Sequence, residues 1–354
     1  MRHQKESKSI VVVARQAGSA NAFVPLFGEF LESKFNVHTF AFVHAHRIFA
    51  NNKIDATLIE KFDTSLFSDI PEPSILLTGT SEYAEEDHRF WQWARSRGIP
   101  SVAFVDSWVS YWERFTPSIG VRDKFSLKPD VIAVIDRLMY DRMVASGCDE
   151  KRLIVTGNPA FDGLRDYMPR EREDIVKTYG EGYVLFIGEP FNNKLLGGNE
   201  KDALGYTEAE VLRLTVNSIE LMEGEKPRLV FRPHPRGGYS SEIKSIIDTR
   251  SDVVLDAGAF NSRDLVGCAQ AVVGMTSMLL YEASKMGVPA ISIRPNGKLT
   301  SDLVDFRAGI SNVTNSRIED VLVEMMKILS RKRESQYIEK STLCDAIRSI
   351  MEKE

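Results

Sequence analysis

The sequence predicts an α/β protein made of two doubly wound domains, each built on a parallel sheet. Its 354 residues favour two domains, at about 150 residues for each. Short runs of Val, Ile and Leu alternate with amphipathic stretches, and such unbroken apolar runs are typical of strands that helices cover on both faces. The alternation stops once and then resumes. We therefore expect two similar domains facing each other across a cleft, with ligands at the carboxyl ends of the strands.

A charged segment separates the two series of strands. Candidate strands lie at residues 10–13, 37–42, 74–77, 101–105 and 131–134, and again at 183–187, 228–231, 253–255, 271–273 and 290–293. Between the series, Pro169 and the charge run Arg170–Asp174 suit a solvated connection. We predict domains at residues 1–165 and 166–325. Residues 326–354 alternate apolar and charged side chains at helical period and predict terminal helices, which can pack back onto the first domain.

The composition excludes several classes of partner. The net charge of −5 leaves no basic footprint for nucleic acid. Cys148, Cys268 and Cys344 lack disulfide or metal spacing, as in proteins of reducing compartments.

The polar segment Met1–Ser9 leads into the first strand, and no apolar run approaches the roughly 20 residues of a bilayer span. We expect a cytoplasmic protein, with peripheral docking at the inner membrane face through a local basic patch as an option.

The segment Arg232-Pro-His-Pro-Arg236, followed by Gly237, carries the strongest chemical signal. The prolines fix φ and would hold the His234 imidazole in one direction at the end of a strand. Arg232 and Arg236 suit phosphate, because guanidinium groups bind it with fork geometry. Gly237 lets the backbone approach a ligand closely. The alternative interpretation is a rigid turn with a solvent-facing histidine.

A second segment, Gly274–Pro289, predicts a strand end, a turn with a hydroxyl pair, and a helix that ends at a glycine. Thr276 or Ser277 is expected to cap that helix. The free N–H groups at its start, together with the helix dipole, predict an anion site for a diphosphate or phosphodiester. Glu282 on the helix can accept hydrogen bonds from ribose hydroxyls. The alternative is an ordinary N-cap and a solvated glutamate.

Polar residues also follow three strands of the first domain. The turn with Ser19 and Asn21 opens a helix after the first strand, and Glu82 and Asp106 follow two later strands. Either carboxylate suits a general base that deprotonates an acceptor hydroxyl, and chemistry alone does not choose between them.

The four tryptophans lie together within residues 91–112. Their faces suit either sugar rings or a protein core, and Trp108 is our candidate for a sugar contact. Glu85–Asp87, which precede the first of them, predict a solvated helix start. The sequence has no Asp-x-Asp motif, so we predict no metal and expect arginines and helix N-termini to balance the charge of a diphosphate.

These motifs resemble those of a known group of enzymes. Val155–Asp162, with Gly157 and Asn158, resembles the interdomain segment of Kdo transferases and of non-hydrolysing UDP-N-acetylglucosamine 2-epimerases. Arg232–Pro235 resembles the His-Pro motif of bacterial sialyltransferases, capsule Kdo transferases and CDP-glycerol glycerophosphotransferases. Gly274–Pro289 is similar to the donor-binding helix of the GT-B superfamily.

The resemblance covers most of residues 74–293 and implies the GT-B fold of two Rossmann-like domains. It implies that His234 and Ser277 contact a donor phosphate and that Glu282 contacts the ribose. Thr80–Glu82, with Asp106 further along, is similar to the acceptor-side region of Kdo transferases. On that basis the base is Glu82, with Asp106 as its competitor.

The chain departs from the epimerases at three places. They carry a serine-glycine-glycine turn and a pair of adjacent glutamates, where this chain has Gly274–Ser277 and the single Glu282. Their arginine-bearing first loop is replaced by Gly18–Asn21. These departures favour a transferase over an epimerase.

We therefore predict a metal-independent glycosyltransferase without a cofactor. It would move a sugar, or a glycerol-phosphate-like unit, from a CMP, CDP or UDP donor to a glycan or lipid-linked acceptor. The expected process is surface polysaccharide or capsule biosynthesis, in which the protein would act alone or with other assembly proteins. The alternatives are a nucleotide-sugar 2-epimerase or hydrolase, and a non-catalytic nucleotide-binding subunit. The first domain would hold the acceptor and the second the donor. The predicted residues are Glu82, Asp106 and His234 for catalysis, Arg232, Arg236, Gly237, Thr276, Ser277, Glu282, Gly157 and Asn158 for the donor, and Ser19, Asn21 and Trp108 for the acceptor.

Overall fold

The computed structural model describes residues 8–68, 70, 73–118, 121–189, 200–234, 238–298, 300–334, 336 and 338–352. The chain divides into two compact units, residues 1–162 with 339–354, and residues 163–338. The first unit ends at 162, where the sequence suggests 165. The second extends to 338 rather than 325.

The first unit is built on a seven-stranded sheet in the order β3-β2-β1-β4-β5-β6-β7, and every described pairing in it is parallel. Its strands are β1 (Ser9–Ala14), β2 (Asn36–Ala41), β3 (Thr57–Leu58), β4 (Ile75–Thr78), β5 (Ser101–Phe104), β6 (Val131–Val134) and β7 (Leu153–Val155). Its helices before the boundary are α1 (Ala17–Phe23), α2 (Leu26–Glu32), α3 (Val43–Asn51), α4 (Glu85–Ser96) and α5 (Arg137–Ala145). The strand order reverses between β1 and β4.

The second unit repeats this plan with a six-stranded parallel sheet in the order β10-β9-β8-β11-β12-β13. Its strands are β8 (Val184–Ile187), β9 (Leu229–Arg232), β10 (Val253–Leu255), β11 (Ala271–Gly274), β12 (Ala290–Ile293) and β13 (Ile310–Val313). Its helices are α6 (Arg172–Tyr179), α7 (Glu200–Leu204), α8 (Glu208–Glu220), α9 (Ser241–Thr249), α10 (Ser262–Cys268), α11 (Met278–Lys285), α12 (Asp302–Asp305) and α13 (Ile318–Ser330). The order reverses between β8 and β11.

Apolar strands and helix faces form the core of each unit. All six residues of β1 are buried, as expected for the strand at which the order of the first sheet reverses. In the second unit, Phe186 and Phe231 stack on neighbouring strands with ring centroids 5.6 Å apart. Helix α13 packs against α8 and belongs to the second unit, which is why that unit extends past residue 325.

The last helix, α14 (Leu343–Glu352), belongs to the first unit. The segment before it is fixed by Ser341, whose N–H donates to Asp162 Oδ1 at 2.9 Å and whose hydroxyl donates to the Thr156 carbonyl at 2.9 Å. The returning chain therefore forms part of the fold of the first unit. Among the described residues, no helix is long and apolar enough to cross a membrane.

Candidate functional site

The carboxyl edge of the second sheet brings two of the predicted motifs together with Glu189, a residue that the sequence did not single out. Strand β8 lies between β9 and β11, so the residues that follow these strands are neighbours. Arg232 ends β9, Glu189 comes two residues after β8, and Thr276 follows β11. Because the strand order reverses between β8 and β11, this edge is also where doubly wound sheets bind ligands.

The turn before α11 forms a pocket of four hydrogen-bond donors. Ser277 is the N-cap, and its hydroxyl accepts the N–H of Leu279 at 3.3 Å. The N–H groups of Met275 (3.1 Å), Thr276 and Ser277 (2.7 Å) all donate to one carboxylate oxygen. The Thr276 hydroxyl donates to the other oxygen of the same carboxylate at 2.6 Å. This arrangement holds an oxyanion at the positive end of a helix.

The carboxylate in that pocket belongs to Glu189. Its side chain crosses from the end of β8 to the α11 N-terminus, and the residue is 6% exposed. Burial raises the pKa of Glu189, while the Thr276 hydroxyl and the backbone donors act in the opposite direction. The predicted anion site is therefore present, but a side chain of the protein fills it. Phosphate contact by Thr276 and Ser277, as first expected, requires Glu189 to move.

Gly188 makes the crossing of Glu189 possible. A Cβ at this position would lie 2.8 Å from Glu208 Oε1 and 3.0 Å from the carbonyl oxygen of Arg232. The Glu208 carboxylate also accepts the N–H of Glu189 at 2.9 Å. A Cβ at this point would therefore crowd the Arg232 carbonyl and push the Glu208 carboxylate aside, and glycine avoids both contacts.

Arg232 is bound to a carboxylate of its own unit. Its guanidinium pairs with the fully buried Asp256 and donates to the Ser262 hydroxyl at 3.3 Å. The Tyr179 hydroxyl also donates to Asp256, at 2.7 Å. Asp256 thus orients the guanidinium and balances its charge.

His234 follows β9 as a half-buried residue. Arg236 and Gly237, the other predicted phosphate contacts of this turn, lie outside the described residues. The described part of the motif places His234 two residues beyond Arg232 at the same edge of the sheet.

Glu282 binds a partner, Arg263, that the sequence pattern does not indicate. The residue is 8% exposed, and its two oxygens accept hydrogen bonds from Arg263 at 2.7 and 3.1 Å. The alternative of a solvated glutamate is therefore wrong. A ribose at Glu282 would have to share this carboxylate with Arg263.

In the first unit, the residues after β1 serve the packing of the turn. Ser19 is buried, and its hydroxyl donates to the Gln16 carbonyl at 3.0 Å. A Cβ on Gly79 would lie 2.3 Å from the Ser19 Cβ, so the turns after β1 and β4 touch. Asn21 is exposed. Ser19 is thus a packing residue in this structure and presents no hydroxyl to an acceptor, contrary to our expectation.

The two candidate bases have different surroundings. Asp106 is held by an ion pair with Arg114 at 3.1 Å, and its side chain is 11% exposed. The same guanidinium donates to the Thr80 hydroxyl at 2.9 Å. Glu82 is exposed and accepts a hydrogen bond from the Ser110 hydroxyl. Of the two, Glu82 is the carboxylate that a substrate can reach without breaking an ion pair.

Asp87 is a carboxyl that the sequence interpretation misplaced. We expected it in a solvated helix start, but it is 3% exposed and its Oδ2 has no hydrogen-bond partner among the described residues. Burial raises the pKa of Asp87 to about 7, against the attraction of the Arg15 guanidinium. Glu85, two residues earlier, is exposed as predicted. The face of α4 that carries Asp87 is buried. The run of acidic residues Glu85–Asp87 suggested instead that this whole turn is exposed.

Trp108 is a core residue rather than a sugar platform. It is 2% exposed, its indole N–H donates to Asp136 Oδ2 at 3.0 Å, and its ring stacks on Phe161. The ring of Trp108 therefore packs in the core, and the predicted contact between Trp108 and an acceptor sugar is wrong.

Gly157 and Asn158 also have local partners. Gly157 has φ +75°, and a Cβ there would come within 3.1 Å of Ser341 in the returning chain. The Asn158 side chain is buried and accepts the N–H of Ala160 at 3.0 Å. These contacts assign both residues to the turn that receives the C-terminal segment, rather than to a donor.

No group of three or more His, Cys, Asp or Glu side chains is placed to hold a metal ion in the described part of the chain.

Taken together, two parallel Rossmann-like sheets of this order define the GT-B fold. No family model matches the sequence, and no curated protein matches it. Solved structures do match over nearly the whole chain.

The chain is similar to the UDP-GlcNAc 2-epimerase of Methanocaldococcus jannaschii, with 13% identity, a TM-score of 0.71, and coverage of 98% of this chain and 100% of the other. It is similar to UDP-GlcNAc 2-epimerase from Neisseria meningitidis bound to UDP-GlcNAc, with 12% identity, a TM-score of 0.67, and coverage of 98% and 100%. A third match is Anabaena HepE in complex with UDP and glucose, with 8% identity, a TM-score of 0.59, and coverage of 97% and 95%. At these identities the similarity establishes the fold. Kinship with Kdo transferases, sialyltransferases or glycerophosphotransferases stays a prediction.

Proposed function

We propose that the chain processes a nucleotide-activated sugar and binds the nucleotide phosphate at the carboxyl edge of β9, β8 and β11. The observation that carries this proposal is the convergence of four donors on the two oxygens of one carboxylate before α11. Proteins of the same fold with UDP or UDP-GlcNAc bound lend it support. The donor nucleotide remains open among the UDP, CDP and CMP types.

The proposed chemistry needs stabilisation of a departing phosphate. Arg232 and His234 lie at the edge where that charge would develop, and a fixed donor array costs little reorganisation when the bond breaks. Asp256 holds the Arg232 guanidinium in place. These groups can act on the phosphate without a metal ion.

The leading candidate is turnover of the nucleotide sugar without a second sugar substrate, as a 2-epimerase or hydrolase. Its support is the match of the whole chain to several UDP-GlcNAc 2-epimerases. This is the alternative of the sequence interpretation, and the comparisons favour it over the leading prediction of transfer.

Glycosyl transfer is the second candidate. Its support is the sequence at α11, where Gly274–Ser277 and the single Glu282 replace the epimerase turn and glutamate pair. Glu282 is also bound to Arg263. In this case the accessible Glu82 of the first unit would deprotonate the hydroxyl of a glycan or lipid-linked acceptor.

An NMR time course separates the candidates. Purified protein is incubated with UDP-, CDP- and CMP-sugars, first without and then with a glycan acceptor, and phosphorus and anomeric proton signals are followed. Turnover without acceptor supports the epimerase or hydrolase, and turnover only with acceptor supports transfer. Binding without turnover in either case would indicate a non-catalytic subunit. His234→Ala should abolish any turnover, and unchanged rates in that variant would refute the proposed site.

A further inference from the structure

Glu189 stands where a ligand phosphate is expected. Its carboxylate uses the three N–H groups and the hydroxyl that make the turn before α11 an anion site. The residue is buried, so the contact is not a loose surface arrangement. A phosphate oxygen and a carboxylate oxygen accept hydrogen bonds from the same kinds of donor, and both favour the positive end of a helix.

We propose that Glu189 is a specificity-determining residue of this site: its carboxylate competes with the nucleotide phosphate for the α11 donors, and the phosphate binds by displacing it. This inference rests on the proposed function, because it concerns the same edge of the second sheet. Glu189 would then determine which anions bind at the α11 N-terminus and how tightly they bind.

The charges around the pocket support displacement rather than coexistence. Arg232 is paired with Asp256, and Arg263 is paired with Glu282. These two arginines of the described edge are therefore already balanced by carboxylates. A phosphate placed beside a charged Glu189 would add like charge to a low-dielectric pocket, which strongly disfavours binding.

The position of Glu189 in the chain favours movement. It lies two residues beyond β8, after Gly188, and its N–H donates to the Glu208 carboxylate at 2.9 Å. A change in the side-chain torsions would free the α11 donors without disturbing the sheet.

The test uses the full chain with Glu189→Gln, Glu189→Ala and the matched control Glu208→Gln. Glu208 is the neighbouring buried carboxylate that accepts the Glu189 N–H. Titration calorimetry with UDP, CDP and CMP measures nucleotide affinity. We expect Glu189→Gln to bind the preferred nucleotide at least about tenfold more tightly than the wild type, a change equivalent to about 1.4 kcal/mol. Glu208→Gln should stay within about twofold.

A second measurement does not depend on the nucleotide. Inorganic pyrophosphate, at matched ionic strength against chloride, should raise the Tm of Glu189→Ala but leave that of the wild type nearly unchanged. A glutamate that only caps the helix predicts a lower Tm that pyrophosphate does not restore. That outcome would overturn the inference.

The remaining outcomes distinguish the two proposals. Unchanged or lost nucleotide affinity in Glu189→Gln, with binding to the wild type, overturns the role of Glu189 and leaves the proposed function standing. Selective stabilisation of Glu189→Ala by pyrophosphate, with no nucleotide binding by any variant, supports the competitor role and removes the proposed function. No response to any of these ligands removes both.

Discussion

Asp87 gives the stability of the first unit a pH dependence. Its pKa rises from the usual 3.8 to about 7 because the carboxyl is buried. Below about pH 4 it is protonated in both folded and unfolded chains, so it costs nothing. Between about pH 4 and 7 the unfolded chain ionises this carboxyl while the folded chain keeps it protonated, so stability is lost across this interval and the loss is complete above it. Asp87→Asn should therefore be more stable than the wild type at pH 8, on the order of 2–4 kcal/mol, and equal to it near pH 4.

Thermal unfolding between pH 4 and 8 measures this difference. Asp63→Asn is the control, because Asp63 is exposed and its pKa is lowered by hydrogen bonds from Ser65. The sign is opposite there: the stability that Asp63 contributes is lost as the pH falls. A wild type and an Asp87→Asn variant with parallel pH profiles would refute the burial of a titrating carboxyl at this position.

The Arg263–Glu282 pair should be strongly coupled. Both side chains are mostly buried and form two hydrogen bonds, so loss of either leaves a partly buried charge. We expect Arg263→Gln and Glu282→Gln each to lower the free energy of unfolding by about 1–3 kcal/mol. The double variant should lose clearly less than the sum of the two. Additive losses in urea denaturation would mean that the pair is not formed in solution.

For single residues, the sequence indicates which motifs contribute to the site. It does not indicate which residues bind them. Arg232, Thr276 and Glu282 were singled out from local patterns. Their partners lie 19 to 87 residues away along the chain, and no spacing rule links them. Glu189 could have been suspected from its place after a glycine at the end of a central strand, once strand order was known.

At the scale of elements, Gly18 in α1 is constrained by its neighbour Asp106. A Cβ on Gly18 would lie 1.8 Å from Asp106 Oδ2, whereas a Cβ on Gly28 of α2 meets nothing within 4 Å. Gly18→Ala should therefore destabilise the protein by about 1–3 kcal/mol through overpacking. Gly28→Ala should stabilise it by about 0.5–1 kcal/mol, since alanine suits a helix interior better.

Chemical denaturation of the two glycine variants checks this pair. Both replace a helical glycine of the same unit, so the comparison removes the general effect of the substitution. If Gly18→Ala were as stable as Gly28→Ala, Asp106 would not lie against α1 as described.

The sequence predicted all the central strands but, of the four edge strands, only β10. The three missed strands, β3, β7 and β13, are all at sheet edges. Their exposed positions carry polar or single apolar residues, as in Thr57–Leu58, which is exposed throughout. An edge strand has one neighbour and a partly solvated face, so it lacks the unbroken apolar run that identifies a central strand.

At the scale of the whole molecule, the C-terminal segment completes the first unit. Leu343, Cys344, Ile347 and Met351 of α14 are buried there, and each such side chain contributes roughly 1.5–3 kcal/mol on burial. Deleting residues 339–354 should therefore lower the unfolding temperature of the first unit sharply. Calorimetry should show a separate, earlier transition. An unchanged single transition would contradict the assignment of this segment.

The fold class followed from the sequence because two parallel sheets leave a repeated apolar rhythm. The reaction did not, because the same fold holds epimerases and a protein with UDP and glucose bound. Motifs such as Gly274–Ser277 predict a phosphate site, but they do not distinguish transfer of a sugar from its rearrangement.

Hydrogen–deuterium exchange with bound nucleotide tests whether the phosphate binds at the carboxyl edge of the second sheet. UDP, CDP and CMP are added in parallel to the full chain, and exchange is followed by peptide. If the phosphate binds at this edge, one nucleotide should slow exchange in peptides containing Thr276–Ser277 and Arg232–His234. Protection confined to other segments, or none with any of the three nucleotides, would contradict a phosphate site at the carboxyl edge of the second sheet.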